Sequence, residues 1–171
     1  MSPLYSFLVV FGFICALTSL SSADDVKTIV LNNKEYYVGV SNKVNWYRAV
    51  QTCAAYDMSL ASIESNEEYE SLRQYLFNNK QWGTQFWLSG TNLPDRSNYV
   101  WLTSGKRISY EKWAQSPSTL ANQCVRTNGN FLWVTGACTD SLYFICSRPV
   151  EPACGVFGRC LYTHNPNAKT N

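Results

Sequence analysis

The cysteines constrain this chain more than any other feature. Seven occur in 171 residues, and one of them, Cys15, sits inside a nearly unbroken apolar run from Leu4 to Leu17. That run is too short for a transmembrane helix, which needs about 20 apolar residues. It has the length of the apolar region of a secretory signal. Small residues follow at Ser21, Ser22 and Ala23, then Asp24 and Asp25, so residues 1–23 are expected to be a signal peptide cleaved after Ala23. No Lys or Arg precedes the run, which departs from the usual positive start and leaves an uncleaved anchor as the alternative. Removing the signal leaves Cys53, Cys124, Cys138, Cys146, Cys154 and Cys160. An even number in an exported chain reads as three disulfides, with many connectivities open by count alone. A metal site is the weaker reading, because there is no Cys-x-x-Cys pair and the single histidine, His164, lies in the polar tail.

The rest of the chain is long enough for one domain with a real core. Its Lys and Arg are scattered and the net charge is only +2, which gives no footprint for nucleic acid. No second segment is apolar enough to span a membrane.

The residue pattern predicts two helices followed by several short strands, an α+β arrangement. Thr28–Leu31 and Glu35–Val40 read as strands around an asparagine turn. Asn45 is an N-cap for a helix whose apolar stripe is Trp46, Ala49, Val50, Cys53 and Ala54. Ser65-Asn66-Glu67-Glu68 reads as a capping box, with Glu68 reaching back to the cap. The helix it opens buries Tyr69, Leu72 and Leu76 and wets Glu67, Glu68, Glu70 and Arg73, ending at Asn78-Asn79. Phe86–Gly90, Tyr99–Trp101, Gln123–Thr127, Phe131–Val134 and Tyr143–Cys146 read as strands. A long stretch with little regular signal separates Trp101 from Cys124. Asn128-Gly129 is expected to be a hairpin turn.

Taken together these motifs resemble the C-type lectin-like domain over roughly Glu35 to Arg148. Trp46 to Cys53 looks like the family's first helix, ending in a cysteine. Leu60-Ala61-Ser62-Ile63 with Ser65-Asn66-Glu67-Glu68 matches the segment between its two helices. Phe86-Trp87-Leu88-Ser89-Gly90 looks like its core-strand motif. Tyr99-Val100-Trp101 and Trp113 sit where it keeps aromatics under a long loop. Cys124, Trp133, Cys138 and Cys146 match its C-terminal cysteine frame. The pattern is most similar to small secreted invertebrate lectins. The expected organisation is a signal peptide at 1–23, a lectin-like domain at 24–148, which the resemblance implies has two helices packed on short antiparallel sheets beside a long irregular loop, and a cysteine-closed extension outside the family domain at 149–171. The resemblance also implies Cys53–Cys146 and Cys124–Cys138 disulfides, the first worth up to about 4.7 kcal/mol in the loop-entropy account and the second about 3 kcal/mol. Cys154 and Cys160 are then left for a third, local bond across a short glycine-bearing loop.

Sugar-binding members of that family use a calcium ion held by acidic and amide side chains, and this chain departs from their pattern. Trp133 keeps its spacing to Cys138, but Val134 and Thr135 follow it in place of Asn and Asp. The long loop offers Ser116-Pro117-Ser118, and Asn122 stands where an acid is expected two residues before Cys124. A hard divalent cation needs six to eight oxygens with carboxylate charge among them. Ser116, Ser118, Asn122 and Thr135 provide no carboxylate, so no cofactor is expected and the calcium site reads as lost.

Candidate ligand contacts are Ser116, Ser118, Asn122, Asn128, Asn130, Thr135 and Trp82. Asn122, Asn128, Asn130 and Thr135 are expected to cluster near the former calcium position, where amides and hydroxyls suit sugar hydroxyls, or else to satisfy loop backbone. Trp87, Trp101, Trp113 and Trp133 read as core, whereas Trp82 matches no core motif. Lys106, Arg107, Lys112 and Arg126 read first as a solvated face, with an anionic glycan or a protein as the functional alternative. Catalysis has little support, since a tail histidine forms no held triad, paired cysteines leave no thiolate, and most of the acids that could cleave a glycoside as a pair lie on the wet face of the second helix. The expectation is a secreted, extracellular, calcium-independent binding protein for glycan, or alternatively for an extracellular protein, with no oligomeric state assigned.

Overall fold

The computed structural model describes residues 27–150 apart from Ser97, together with the backbone of Ala153, Cys154, Cys160 and Leu161. In chain order the elements are β1 (Ile29–Leu31), β2 (Lys34–Val44), α1 (Trp46–Ala55), β3 (Ser59–Leu60), α2 (Asn66–Asn78), β4 (Phe86–Thr91), β5 (Val100–Trp101), β6 (Gln123–Thr127), β7 (Trp133–Ala137), β8 (Leu142–Pro149), β9 (Ala153–Cys154) and β10 (Cys160–Leu161). The order along the main sheet is β1-β2-β8-β4-β6-β7, with β3 added to β8 and β5 to β4. The α+β class is as expected. The expectation of purely antiparallel sheets is corrected at one place, since β4 and β8 run parallel.

Local chemistry accounts for the hairpin and both helix starts. Asn32 and Asn33 have φ of 48° and 60°, the two left-handed residues that a two-residue hairpin turn requires and that asparagine tolerates. The Asn45 side chain accepts the Arg48 N–H at 2.8 Å, and the Ser65 hydroxyl accepts the Glu68 N–H at 3.1 Å. The other half of the expected capping box is different. Glu68 Oε2 accepts from the Glu64 N–H at 2.8 Å, one residue ahead of the cap. Its Oε1 accepts from the Tyr36 hydroxyl at 2.6 Å and from Lys34 Nζ. Glu68 is therefore buried, not on the wet face. Burial and the neighbouring carboxylate both push the Tyr36 hydroxyl far above its ordinary pKa, so it stays a donor at any working pH.

Strand alternation divides the interior. On β4, Phe86 and Leu88 face a core shared with Tyr69, Leu72 and Leu76 of α2. Trp87 faces the other core, with Trp46, Ala49 and Cys53 of α1. On β8, Ile145 joins the first core and Phe144 and Cys146 the second, as a period of two requires. All six residues of β4 are buried. The Trp87 and Trp101 rings are buried as expected, and Trp133 crosses Trp101 edge-on at 5.3 Å.

Both disulfides implied by the resemblance form, Cys53–Cys146 and Cys124–Cys138. The signal region and the side chains of Cys154 and Cys160 lie outside the described residues. The backbones of those two cysteines are directly opposed in the β9–β10 pair.

Replacing Glu68 by Ala is expected to lower unfolding stability by about 3 kcal/mol, because it strands the buried Tyr36 hydroxyl, the Lys34 ammonium and the Glu64 amide. Exposed Glu70→Ala on the same helix should cost under about 0.5 kcal/mol. Urea unfolding of both variants at neutral pH checks the ranking.

Candidate functional site

The long loop between β5 and β6 is held down by polar contacts from beneath. Asn92 is only 1% exposed. Its Nδ2 donates to the Leu120 carbonyl at 2.7 Å, and its Oδ1 accepts the Gln123 N–H at 2.8 Å. The Thr91 hydroxyl donates to the Gln123 carbonyl at 3.0 Å. The Tyr99 hydroxyl donates to the Ser118 carbonyl at 2.8 Å. Burial raises the pKa of that hydroxyl, and a hydrogen bond with Thr135 opposes the shift. Under the loop, Trp113 packs edge-on against Tyr99 and Trp133, at 5.5 and 5.7 Å.

These contacts decide what the loop candidates can do. Thr135 Oγ1 accepts the Ser118 N–H at 3.3 Å, and Ser118 Oγ accepts the Leu120 N–H at 3.1 Å. Both hydroxyls thus serve loop backbone. Asn122 is exposed with φ of 58°, a left-handed position that asparagine fills without a glycine. Ser116 is exposed. The oxygens at these positions include no carboxylate, and among the described residues no group of three His, Cys, Asp or Glu side chains converges as a metal cage would.

Asn128 and Asn130 do not join that cluster. Asn122 precedes β6 at the end where Gln123 pairs with Ala137, whereas Asn128 follows it at the end where Thr127 pairs with Trp133. About 17 Å of strand separates the two ends. Asn128 Oδ1 accepts the N–H groups of Asn130 and Leu132, at 2.9 and 3.0 Å, and so builds the turn. The turn is longer than the expected Asn-Gly pair, because Phe131 adopts a φ of 63° and buries its ring before β7 begins.

The turn places Asn130 beside Trp82 instead. The Gly83 N–H donates to the Gly129 carbonyl at 3.1 Å, docking the segment after α2 onto this turn. Trp82 is 42% exposed. The Phe77 ring meets it edge-on at 5.7 Å, and the Arg73 guanidinium lies over it at 5.1 Å. Trp82 and Arg73 stand between two surface cavities. One of about 200 Å³ lies toward Gln74 and Phe77. The other, an open groove of about 520 Å³, is walled by Tyr69, Glu70, Lys112 and Asn130. Its size falls within the usual range for small-ligand sites, about 300–1,000 Å³. The 112–114 segment is pinned, since the Trp133 N–H donates to the Lys112 carbonyl and the Ala114 N–H to the Trp133 carbonyl, both at 2.8 Å. The Lys112 ammonium rests over the rings of Tyr69 and Tyr110, at 5.0 and 5.8 Å. Burial, with Tyr69 and Glu70 nearby, pushes the Tyr110 hydroxyl up to about 12, so that ring is neutral beneath the cation. The sequence pointed to Trp82 and Asn130 separately. It carried no sign of Asn92, whose role depends on a loop nearly thirty residues away.

A lectin C-type domain family model matches residues 42–148. Over 122 residues the chain is 29% identical to C-type lectin mosGCTL-7 of Culex quinquefasciatus, covering 63% of this chain and 70% of that one. It is 28% identical over 114 residues to the protein of the same name in Aedes aegypti, covering 62% and 75%. Among solved structures it resembles the mouse scavenger receptor C-type lectin carbohydrate-recognition domain, with a TM-score of 0.64, 23% identity and coverage of 72% and 94%. It also resembles a calcium-independent type II antifreeze protein, with a TM-score of 0.62, 19% identity and coverage of 71% and 91%.

Asn92→Ala is expected to free the long loop by removing both side-chain bonds to it, at a cost of about 2–3 kcal/mol. Limited proteolysis should then cut first between Ser116 and Asn122, while the wild-type loop resists under the same conditions.

Proposed function

The chain belongs to the lectin C-type domain family, and from that premise we propose that it is an extracellular carbohydrate-binding protein that recognises glycan without a calcium bridge. The observation that carries this reading is the chemistry at the family's ligand positions. Val134 contributes no side-chain oxygen, and the Ser118 and Thr135 hydroxyls accept loop amides. Asn122 is neutral where charge is needed. Polar contacts from Asn92, Thr91 and Tyr99 hold the loop from the protein side. The apolar run from Leu4 to Leu17 supports export. Among the described residues no helix is long and apolar enough to cross a membrane.

The proposed role is binding and not turnover. Among the described residues Glu70 is the one acid lining the Trp82 groove, and glycoside cleavage by the common route needs a pair. A second reading, a protein-binding module, draws on apolar side chains exposed on and around the long loop: Leu93, Leu102 and Leu120, the last 69% exposed. Exposed apolar groups favour a protein partner where they form a contiguous patch.

A glycan array run in millimolar calcium and again in chelator tests the proposal. The same spots are expected in both, and thermal unfolding should move by less than about 1 °C between them, since only a ligand of the native state raises stability. Loss of the spots in chelator, or a calcium-induced rise of several degrees, overturns calcium independence. A silent array beside a captured extracellular protein favours the second reading.

A further inference from the structure

We propose that the groove between Trp82 and Lys112 is a binding subsite for an acidic saccharide, one carrying sulfate or carboxylate groups. The inference rests on the glycan-binding reading above and deepens it by naming the site and the ligand class. It does not use the Ser118–Asn122 stretch of the long loop, which leads into β6 at the other end of the β6–β7 pair.

Three features converge there. The first is an indole wall. Trp82 stands at right angles to the Phe77 ring and has Arg73 over its own ring. A large, rigid aromatic with restricted freedom binds the apolar face of a sugar ring at low entropic cost. The second is a cation held in place without a neutralising partner. Lys112 makes no ion pair among the described residues and is seated on two tyrosine faces, with its backbone tied to Trp133. Ring quadrupoles position an ammonium but leave its charge uncompensated. The third is a guanidinium with a weak internal partner. Arg73 meets Glu70 at 3.5 Å, and the two side chains are 41% and 50% exposed. Such a pair contributes little in water, so an incoming anion competes with Glu70 at small cost. Sulfate and carboxylate match the flat donor edge of guanidinium. Asn130 adds an exposed amide for hydroxyls. Among the described residues the groove lining thus carries two cations against one acid.

The test uses protein recovered from a secretory host in chelator, with three probes measured by calorimetry. These are a heparin-derived tetrasaccharide, its desulfated and carboxyl-reduced counterpart, and a glutamate tetrapeptide. The sulfated sugar is expected to bind at least about tenfold more tightly than either of the others, the gain of one charge-assisted contact. Trp82→Ala and Lys112→Gln should each weaken it by about tenfold. Glu70→Gln should strengthen it by about twofold, an effect that fades at high salt. Thr135→Ala should leave it unchanged. Circular dichroism and thermal melts of each variant confirm that the fold is retained. Equal binding of charged and uncharged sugars overturns this proposal and leaves the glycan reading standing. Equal binding of the peptide overturns the saccharide assignment. Unaltered affinity in Lys112→Gln, or a loss in Glu70→Gln, overturns the site. If no probe binds and the glycan array is also silent, both readings fall together.

Discussion

The Cys53–Cys146 bond joins the inner face of α1 to the strand that three other strands share. Cys146 lies opposite Tyr37 of β2 on one side and Leu60 of β3 on the other. Two residues earlier on β8, Phe144 is in register with Trp87 of β4. A covalent tie at that point fixes the helix, both chain ends of the domain and the centre of the sheet together. It spans 93 residues, and a crosslink acts mainly by limiting the unfolded chain. Everything that positions the surface sites hangs from this frame. β4 carries Asn92 at its end. β6 and β7 carry the loop anchor Thr135 and the turn that meets Trp82.

Two surfaces of the frame have been built by different physics. Beneath the long loop the work is done by buried polar side chains that pair with loop backbone, above all Asn92, and by a floor of crossed aromatic rings. A buried amide that satisfies two backbone groups is stable and specific because leaving either group unpaired is costly. In the proposed calcium-free mode these contacts take the structural part that a bound cation would otherwise have in shaping the loop. Around Trp82 the arrangement is open and cationic, with side chains held by ring faces and not by full hydrogen-bond networks. The first arrangement gives rigidity, and the second leaves unsatisfied capacity at the surface.

Much of the fold was legible in the residues. Helical spacing marked α1 and α2, asparagine and serine marked their starts, and the boundaries of β6 were read to the residue. Other features were not legible, for identifiable reasons. β3 is two residues long and exists only because β8 offers an edge. The parallel β4–β8 pairing joins strands more than fifty residues apart. Glu68 looked like a wet helix residue because its period puts it beside Glu67, but Lys34 and Tyr36 of β2 draw it inward. β7 begins two residues later than alternation suggested, because Phe131 turns its ring into the core. The candidate residues split for a similar reason. Asn122 and Asn128 are close in sequence, yet a strand is extended and carries them to opposite ends.

The sequence by itself determined the class of this protein: cysteine spacing, tryptophan placement and the absence of acids at Asn122, Val134 and Thr135. Those are properties of residue type and interval, which no packing can alter. Only the tertiary structure decided which side chains share a surface. It paired Trp82 with Asn130 through one hydrogen bond between Gly83 and Gly129, and brought Lys112 onto Tyr69 and Tyr110. Such neighbours come from separate elements, and their meeting depends on loop paths and sheet register. These are set by long-range contacts, and no local pattern records them.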